Sequence, residues 1–264
     1  MDIRVPECVR PVLADYLLSL KTELPNLIDA CYIHGSIALD AFNRHFSDID
    51  FITILARRAT AQEVEKLKAV HQQVEMLYPE WKLEGSYLQW EDLGREQQEI
   101  VPYPYYHDGV LRSAGYHDVN LVTWWVLKHR GISIMGLSPQ TLAFTVDGNL
   151  LRTNIQENLN SYWVSWTRQP NKIAYLVTDS GIQWAVLGIL RLFYTLREHD
   201  ITSKTEAGRY ALVHLPTQWH RLITEAINLR SNRHGSCYRS RVNRAIEAVR
   251  FLRYVINVCN KQAP

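Results

Sequence analysis

The sequence predicts an N-terminal part that mixes helices with strands, followed by a C-terminal part built from helices alone. Three observations predict it. Up to about position 149, short apolar runs bounded by turn residues alternate with amphipathic stretches. From Leu150 onwards, the long periodic stretches have helical spacing. The change falls after Pro139, at the turn-like Asp147-Gly148-Asn149, so residues 1–149 and 150–264 are expected as two domains with a cleft between them.

In chain order, Pro6 to Thr22 sets Val9, Leu13, Tyr16, Leu17 and Leu20 at helical spacing, with Pro6 in the first turn. Leu27 to His34 is a short strand running into Gly35-Ser36, and Ile37 to Phe42 a short helix. Asn43 to Phe46 is a loop, and Ser47 to Leu55 the next strand. Thr60-Ala61-Gln62-Glu63 is a capping box, opening a helix that Tyr78-Pro79 stops. Leu83 to Trp90 alternates as a third strand, with Glu84, Ser86 and Leu88 on one face. Glu91 to Tyr116 is polar, carries Pro102 and Pro104, and reads as a loop with a Tyr103, Tyr105, Tyr106 and His107 cluster. His117 to His129 reads as a helix and Gly131 to Gly136 as a short strand. Further helices follow at Gln183–Glu198, from Ser203 to about Leu215, at Trp219–Arg230 and at Ser240–Val258. Ser203-Lys204-Thr205-Glu206 supplies a second capping box.

Composition narrows the classes. The 264 residues are 47% hydrophobic and 21% charged, the balance of a soluble globular protein. A net charge of +2 gives no clustered basic excess of the kind that coats nucleic acid. The run Arg230, Arg233, Arg239, Arg241 and Arg244 reads as a solvated, helix-linked cluster. Cys8, Cys31, Cys237 and Cys259 are far apart and read as reduced thiols. The start, Met1-Asp2-Ile3-Arg4, lacks a basic-then-apolar leader, and apolar runs fall short of a membrane span. The expectation is a cytoplasmic, monomeric enzyme with neither nucleic-acid nor membrane partner.

One stretch carries chemistry. Asp48 and Asp50 sit one residue apart at the head of an apolar run, so in a strand both carboxylates face one way while Ile49 and Phe51 face a core. Carboxylates that close repel, and a divalent cation resolves the conflict; Mg²⁺ favours one or two carboxylates plus phosphate oxygens. Upstream, Gly35 permits close backbone approach to a phosphate, and Ser36 precedes a helix whose free N–H groups would face it. An Asp-x-Asp alone is common on surfaces; the Gly-Ser turn at this spacing is what favours a metal pair.

Gly35-Ser36, Ser47-Asp48-Ile49-Asp50 and Glu84 on a later strand resemble the nucleotidyltransferase superfamily. More closely, the chain resembles the aminoglycoside 3''- and 9-adenylyltransferases, the streptomycin and spectinomycin resistance enzymes. His129 to Gly136, the Leu187 to Arg197 stretch with Arg191 and Tyr194, and Ile201-Thr202-Ser203-Lys204-Thr205-Glu206-Ala207-Gly208-Arg209-Tyr210-Ala211-Leu212 extend that resemblance over nearly the whole chain. It implies an α+β fold: an α/β nucleotidyltransferase domain with a mixed sheet, then an all-α helical-bundle domain that closes on the nucleotide. It further implies that Asp48, Asp50 and Glu84 bind Mg²⁺, in two sites, with Glu84 as general base. Gly35, Ser36, Ser47, Arg191 and Lys204 would meet the triphosphate of ATP. Arg230 falls where some members place a Tyr against adenine. Asp179 and Trp166 are the nearest candidates for contacts to the drug.

The implied reaction is transfer of AMP from ATP to a hydroxyl of a cationic aminoglycoside or aminocyclitol, spectinomycin ahead of streptomycin, with resistance as the outcome. The alternatives are transfer to another acceptor, a protein side chain or an RNA end, and a non-catalytic nucleotide-binding module. Binding alone does not require a base, so the presence of Glu84 beside Asp48 and Asp50 favours an enzyme.

Overall fold

The structure is a computed structural model that describes residues 2–233 and 235–261. It divides into two compact units, Met1–Val146 and Asp147–Pro264.

The first unit is built on six strands: β1 (Ile28–Ile33), β2 (Ile49–Leu55), β3 (Leu83–Leu88), β4 (Tyr103–His107), β5 (Val110–Gly115) and β6 (Ile132–Met135). They pair in the order β5-β4-β3-β2-β1-β6. Every pairing is antiparallel except β2 with β3, so the sheet is mixed. Helices α1 (Arg10–Glu23), α2 (Gly35–Ala38), α3 (Ala61–Leu77) and α4 (Leu121–Arg130) complete the unit. Parallel pairing of β2 and β3 requires a crossover, and α3 supplies it. The N-terminus of α3 is set as its sequence predicts. Thr60 Oγ1 accepts from the Glu63 N–H (3.3 Å), and Glu63 Oε2 accepts from the Thr60 N–H (2.8 Å).

Side-chain alternation gives the sheet two cores. Cys31, Ile33, Ile49, Phe51, Leu55, Leu83 and Tyr87 face α1 and α3, whereas Ala30, Tyr32, Ile52, Ile54 and Leu88 face Trp124 and Leu127 of α4. The first core encloses a polar chain: Tyr87 Oη lies 2.8 Å from Tyr16 Oη and 2.6 Å from His71 Nε2. His71 also stacks on Tyr106, ring centroids 3.6 Å apart. Burial pushes its imidazole down to about 3, so it stays neutral in the fold. An unfolded histidine titrates near 6.5 and binds the proton first, so stability falls as pH drops below about 6.5, by up to ~1.4 kcal/mol per pH unit from this group. A His71→Phe variant keeps the stacked ring and loses the titration. Urea midpoints at pH 7.5 and 5.5 should therefore differ less in it than in the parent, and an unchanged difference would remove His71 as the cause.

Three expectations need correction. The first helix begins at Arg10, with Pro11 in its first turn, rather than at Pro6. The helix after Ser36 is a single turn, Gly35–Ala38, and does not reach Phe42. Glu91 to Tyr116 is not a loop: it contains the β4–β5 hairpin, which extends the sheet beyond β3. Asp108 and Gly109 join those strands with φ of +50° and +72°, as the two-residue turn of this hairpin class requires. Asp-Gly between strand-forming runs is the signal that marks it.

The second unit is helical: α5 (Gly148–Asn158), a π-helical turn (Leu159–Trp163), α6 (Val164–Trp166), α7 (Pro170–Tyr175), α8 (Asp179–Glu198), α9 (Lys204–His214), α10 (His220–Arg230) and α11 (Arg241–Lys261). Helix α8 buries Ile182, Val186, Ile189, Leu190 and Phe193 and packs against α9, α10 and α11. Arg244 departs from the expected solvated cluster. It is 1% exposed, and its guanidinium pairs with Glu225 (2.8 Å) and Asp179 (2.6 Å), joining α11 to α10 and α8. Among the described residues, no helix is long and apolar enough to cross a membrane.

Candidate active site

The Gly35-Ser36 turn leaves β1 beside the start of β2. His34 donates its backbone N–H to the Asp50 carbonyl (3.0 Å), and Gly35 follows with φ of +57°. A Cβ at Gly35 would stand 1.9 Å from Asp50 Oδ2, so the absent side chain is the space that the Asp50 carboxylate fills. Gly35→Ala is therefore expected to displace Asp50. If the reaction proposed below is correct, activity falls at least about tenfold even where the fold survives, since a 1 Å misplacement can cost far more. Normal turnover in a folded Gly35→Ala protein would dissociate Asp50 from the chemistry. Next to Gly35, the Ser36 hydroxyl is buried and has no hydrogen-bond partner among the described residues, so it is open to an external one. Ser47 Oγ accepts the Asn43 N–H (3.0 Å), closing the loop that leads to Asp48.

Asp50 lies in β2 in register with Glu84 of the parallel neighbour β3. Asp48 lies one residue ahead of the strand rather than within it. Asp50 shares the parity of Ile52 and Ile54, and Glu84 that of Ser86 and Leu88, so both stand on the α4 face of the sheet. Burial raises the Glu84 carboxyl most, the Asp48 charge adds to the rise, His107 opposes it, and Asp50 raises it further. The result is about 7. Asp48, Asp50 and Glu84 offer oxygen donors only, the kind that a hard divalent cation such as Mg²⁺ takes. The residues present fit such an ion.

Two histidines complete the neighbourhood of Glu84. His107, the last residue of β4, places Nδ1 2.8 Å from Glu84 Oε1 and Nε2 3.2 Å from Asp108 Oδ2. His117 places Nε2 4.0 Å from Glu84 Oε2 and stacks on His107, ring centroids 4.3 Å apart. Burial, with His107 and His34 beside it, lowers His117 to about 4. The sequence shows His107 only within an aromatic cluster and His117 only as the start of an expected helix; the structure stacks the two rings.

In the helical unit, Arg191 of α8 donates Nε to the Thr202 carbonyl (3.1 Å), which ties it to the segment opening α9. Ser203 caps α9 by accepting the Glu206 N–H (3.2 Å), and Lys204 is its first residue. The Lys204 ammonium lies 4.5 Å from the Trp184 ring centroid. Arg191 and Lys204 thus both lie against the segment that links α8 to α9, whereas Arg230 ends α10. Asp179 is engaged by Arg244 and, at 3.6 Å, by Arg241. Trp166 is 5% exposed and packs in the helical core against Trp163 and Tyr175.

Residues 159–257 match the family model of the aminoglycoside adenylyltransferase C-terminal domain. That stretch lies within the helical unit. The spectinomycin adenyltransferase AAD(9) from Enterococcus faecialis, solved with ATP and spectinomycin, superposes with a TM-score of 0.69 at 13% identity. The match spans 94% of this chain and 99% of that one, so the shared fold takes in both units. No curated protein matches the chain at the sequence level.

Proposed function

We propose that this chain transfers AMP from ATP to a hydroxyl of an aminoglycoside or aminocyclitol, with spectinomycin the favoured acceptor. The observation that carries the reading is the meeting of Asp48, Asp50 and Glu84 beside Gly35, in a chain whose helical unit is an adenylyltransferase domain. Asp48, Asp50 and Glu84 would hold Mg²⁺, which when bound neutralises charge on the α-phosphate and departing pyrophosphate. Ser36, with its unmet hydroxyl, and Ser47 serve the phosphates. Arg191 and Lys204 add cationic charge for the same anion. Arg230 is assigned to the adenine, since a guanidinium can stack on a base.

Glu84 takes the proton of the acceptor hydroxyl. Burial and the Asp48 charge raise its carboxyl to about 7, which strengthens it as a base. His107, 2.8 Å from Oε1, fixes the carboxylate. The acceptor is cationic, and of the two residues expected to meet it Asp179 keeps a carboxylate that is 46% exposed, whereas Trp166 is buried in the helical core.

The test is incubation with ATP, Mg²⁺ and a panel of aminoglycosides and aminocyclitols, following pyrophosphate release. Release with spectinomycin and not streptomycin is expected. No release with any member of the panel would sink the reading and turn attention to protein or RNA acceptors.

A further inference from the structure

We infer that Glu84, His107 and His117 form a site for a zinc-class divalent cation, chemically distinct from the all-oxygen set to which Asp48 and Asp50 contribute. The three side chains offer one carboxylate oxygen and two imidazole nitrogens within 4.8 Å of one another. Tetrahedral zinc, with bonds of about 2.0–2.1 Å, separates its ligand atoms by about 3.3 Å. Glu84 turns Oε1 to His107 Nδ1 at 2.8 Å and Oε2 to His117 Nε2 at 4.0 Å, so its carboxylate faces both imidazoles. Three protein ligands leave a fourth position open, the arrangement of zinc sites that exchange a water or substrate.

The surroundings are those of a built site. His107 presents Nε2 to Asp108 Oδ2 at 3.2 Å. A carboxylate behind a ligating imidazole holds the N–H on the far nitrogen and the lone pair on the near one, here Nδ1. His117 is clamped through its backbone. Ser86 Oγ donates to its carbonyl (2.9 Å), and the Tyr103 hydroxyl lies 3.0 Å from its N–H and 3.1 Å from its carbonyl oxygen. Its ring is sandwiched between those of Tyr105 and His107. Both imidazoles are thus held before any ion arrives.

Imidazole donors favour zinc, cobalt and nickel over magnesium, so excess Mg²⁺ does not displace the ion. Because the site uses Glu84, its occupation withdraws the carboxylate that accepts the proton, and zinc then inhibits AMP transfer. That consequence rests on the function proposed above; binding itself does not.

The full chain, without nucleotide or acceptor, is titrated with Co²⁺ by absorbance and with Zn²⁺ by calorimetry in millimolar Mg²⁺. One ion per chain is expected, with the intense visible bands of a tetrahedral cobalt site. Affinity should fall at least tenfold in His107→Ala and in His117→Ala, about tenfold in Asp108→Asn, and not at all in the exposed His45→Ala. It should persist in Asp48→Asn. Circular dichroism distinguishes lost binding from lost folding. No stoichiometric ion, or binding that survives both histidine substitutions as an adventitious ion only, overturns the site. These readouts use no substrate, so their failure leaves the transfer reaction standing, and failure of transfer leaves them standing.

Discussion

Glu84→Gln lowers pyrophosphate release by about 10²–10⁴-fold, the range over which a positioned general base contributes. The substitution keeps the shape of the side chain and an oxygen that accepts from His107, so the fold around β3 is retained. What it removes is the pair of electrons that accepts the acceptor's proton. Half-burial and the neighbouring Asp48 and Asp50 charges place the parent carboxyl at about 7, a position that an amide cannot reproduce. Asp48→Asn and Asp50→Asn each cut release severely as well, by weakening the donor set for Mg²⁺. The Mg²⁺ dependence separates the two roles. Raising Mg²⁺ recovers part of the loss in the aspartate variants and less of it in Glu84→Gln. Full turnover in a Glu84→Gln protein would place the base elsewhere, and full turnover in both aspartate variants would remove the metal from the reading.

Arg244→Met destabilises the helical unit by about 3–5 kcal/mol, the scale on which one partner of a buried ion pair is lost. The guanidinium and Glu225 are each almost wholly buried, and removing the cation strands the carboxylate. Burial pushes the Glu225 carboxyl up, yet the Ser236 hydroxyl, the Cys237 amide and Arg244 together draw it below the ordinary range. The sign follows. A depressed carboxyl adds stability above the unfolded value of about 4.3 and loses it as pH falls through the folded value. Urea unfolding at pH 7 measures the difference directly. Glu225→Gln with Arg244→Met restores part of it, because neither group is then a buried lone charge. A midpoint unchanged in Arg244→Met would mean that the three helices hold without this junction.

Much of the fold was legible because local rules agreed with the final packing. Thr60 and Glu63 mark the start of α3 as written, and the parity of Glu84, Ser86 and Leu88 gives the correct face of β3. Asp50 falls in β2 as its place in the apolar run predicts, whereas Asp48 lies one residue ahead of the strand. The hairpin was hidden by composition. Two prolines and four aromatic residues suggested an excursion, whereas the Asp108-Gly109 turn and pairing with β3 decide the outcome. Hidden with it was the meeting of His107 and His117, ten residues apart in sequence and stacked in space. Arg244 was misread for a different reason. Nothing in a basic run distinguishes the member whose partners, Asp179 and Glu225, lie 65 and 19 residues away. Long-range charge pairing leaves no periodic trace.

The single parallel pairing in an otherwise antiparallel sheet has a consequence for how the chain can be rebuilt. Because β2 and β3 run the same way, both begin at one rim, and their first acidic side chains face each other across one pairing distance. Reversed, a strand of this length would carry Glu84 to the opposite rim, roughly 15–20 Å off at ~3.3 Å per residue. Helix α3 is therefore the return path that makes one cluster out of two distant stretches of sequence. Its outer surface can be rewritten freely. Cutting the chain between β2 and β3 and rejoining its ends elsewhere keeps the rim intact, provided that the two strands still enter from the same side.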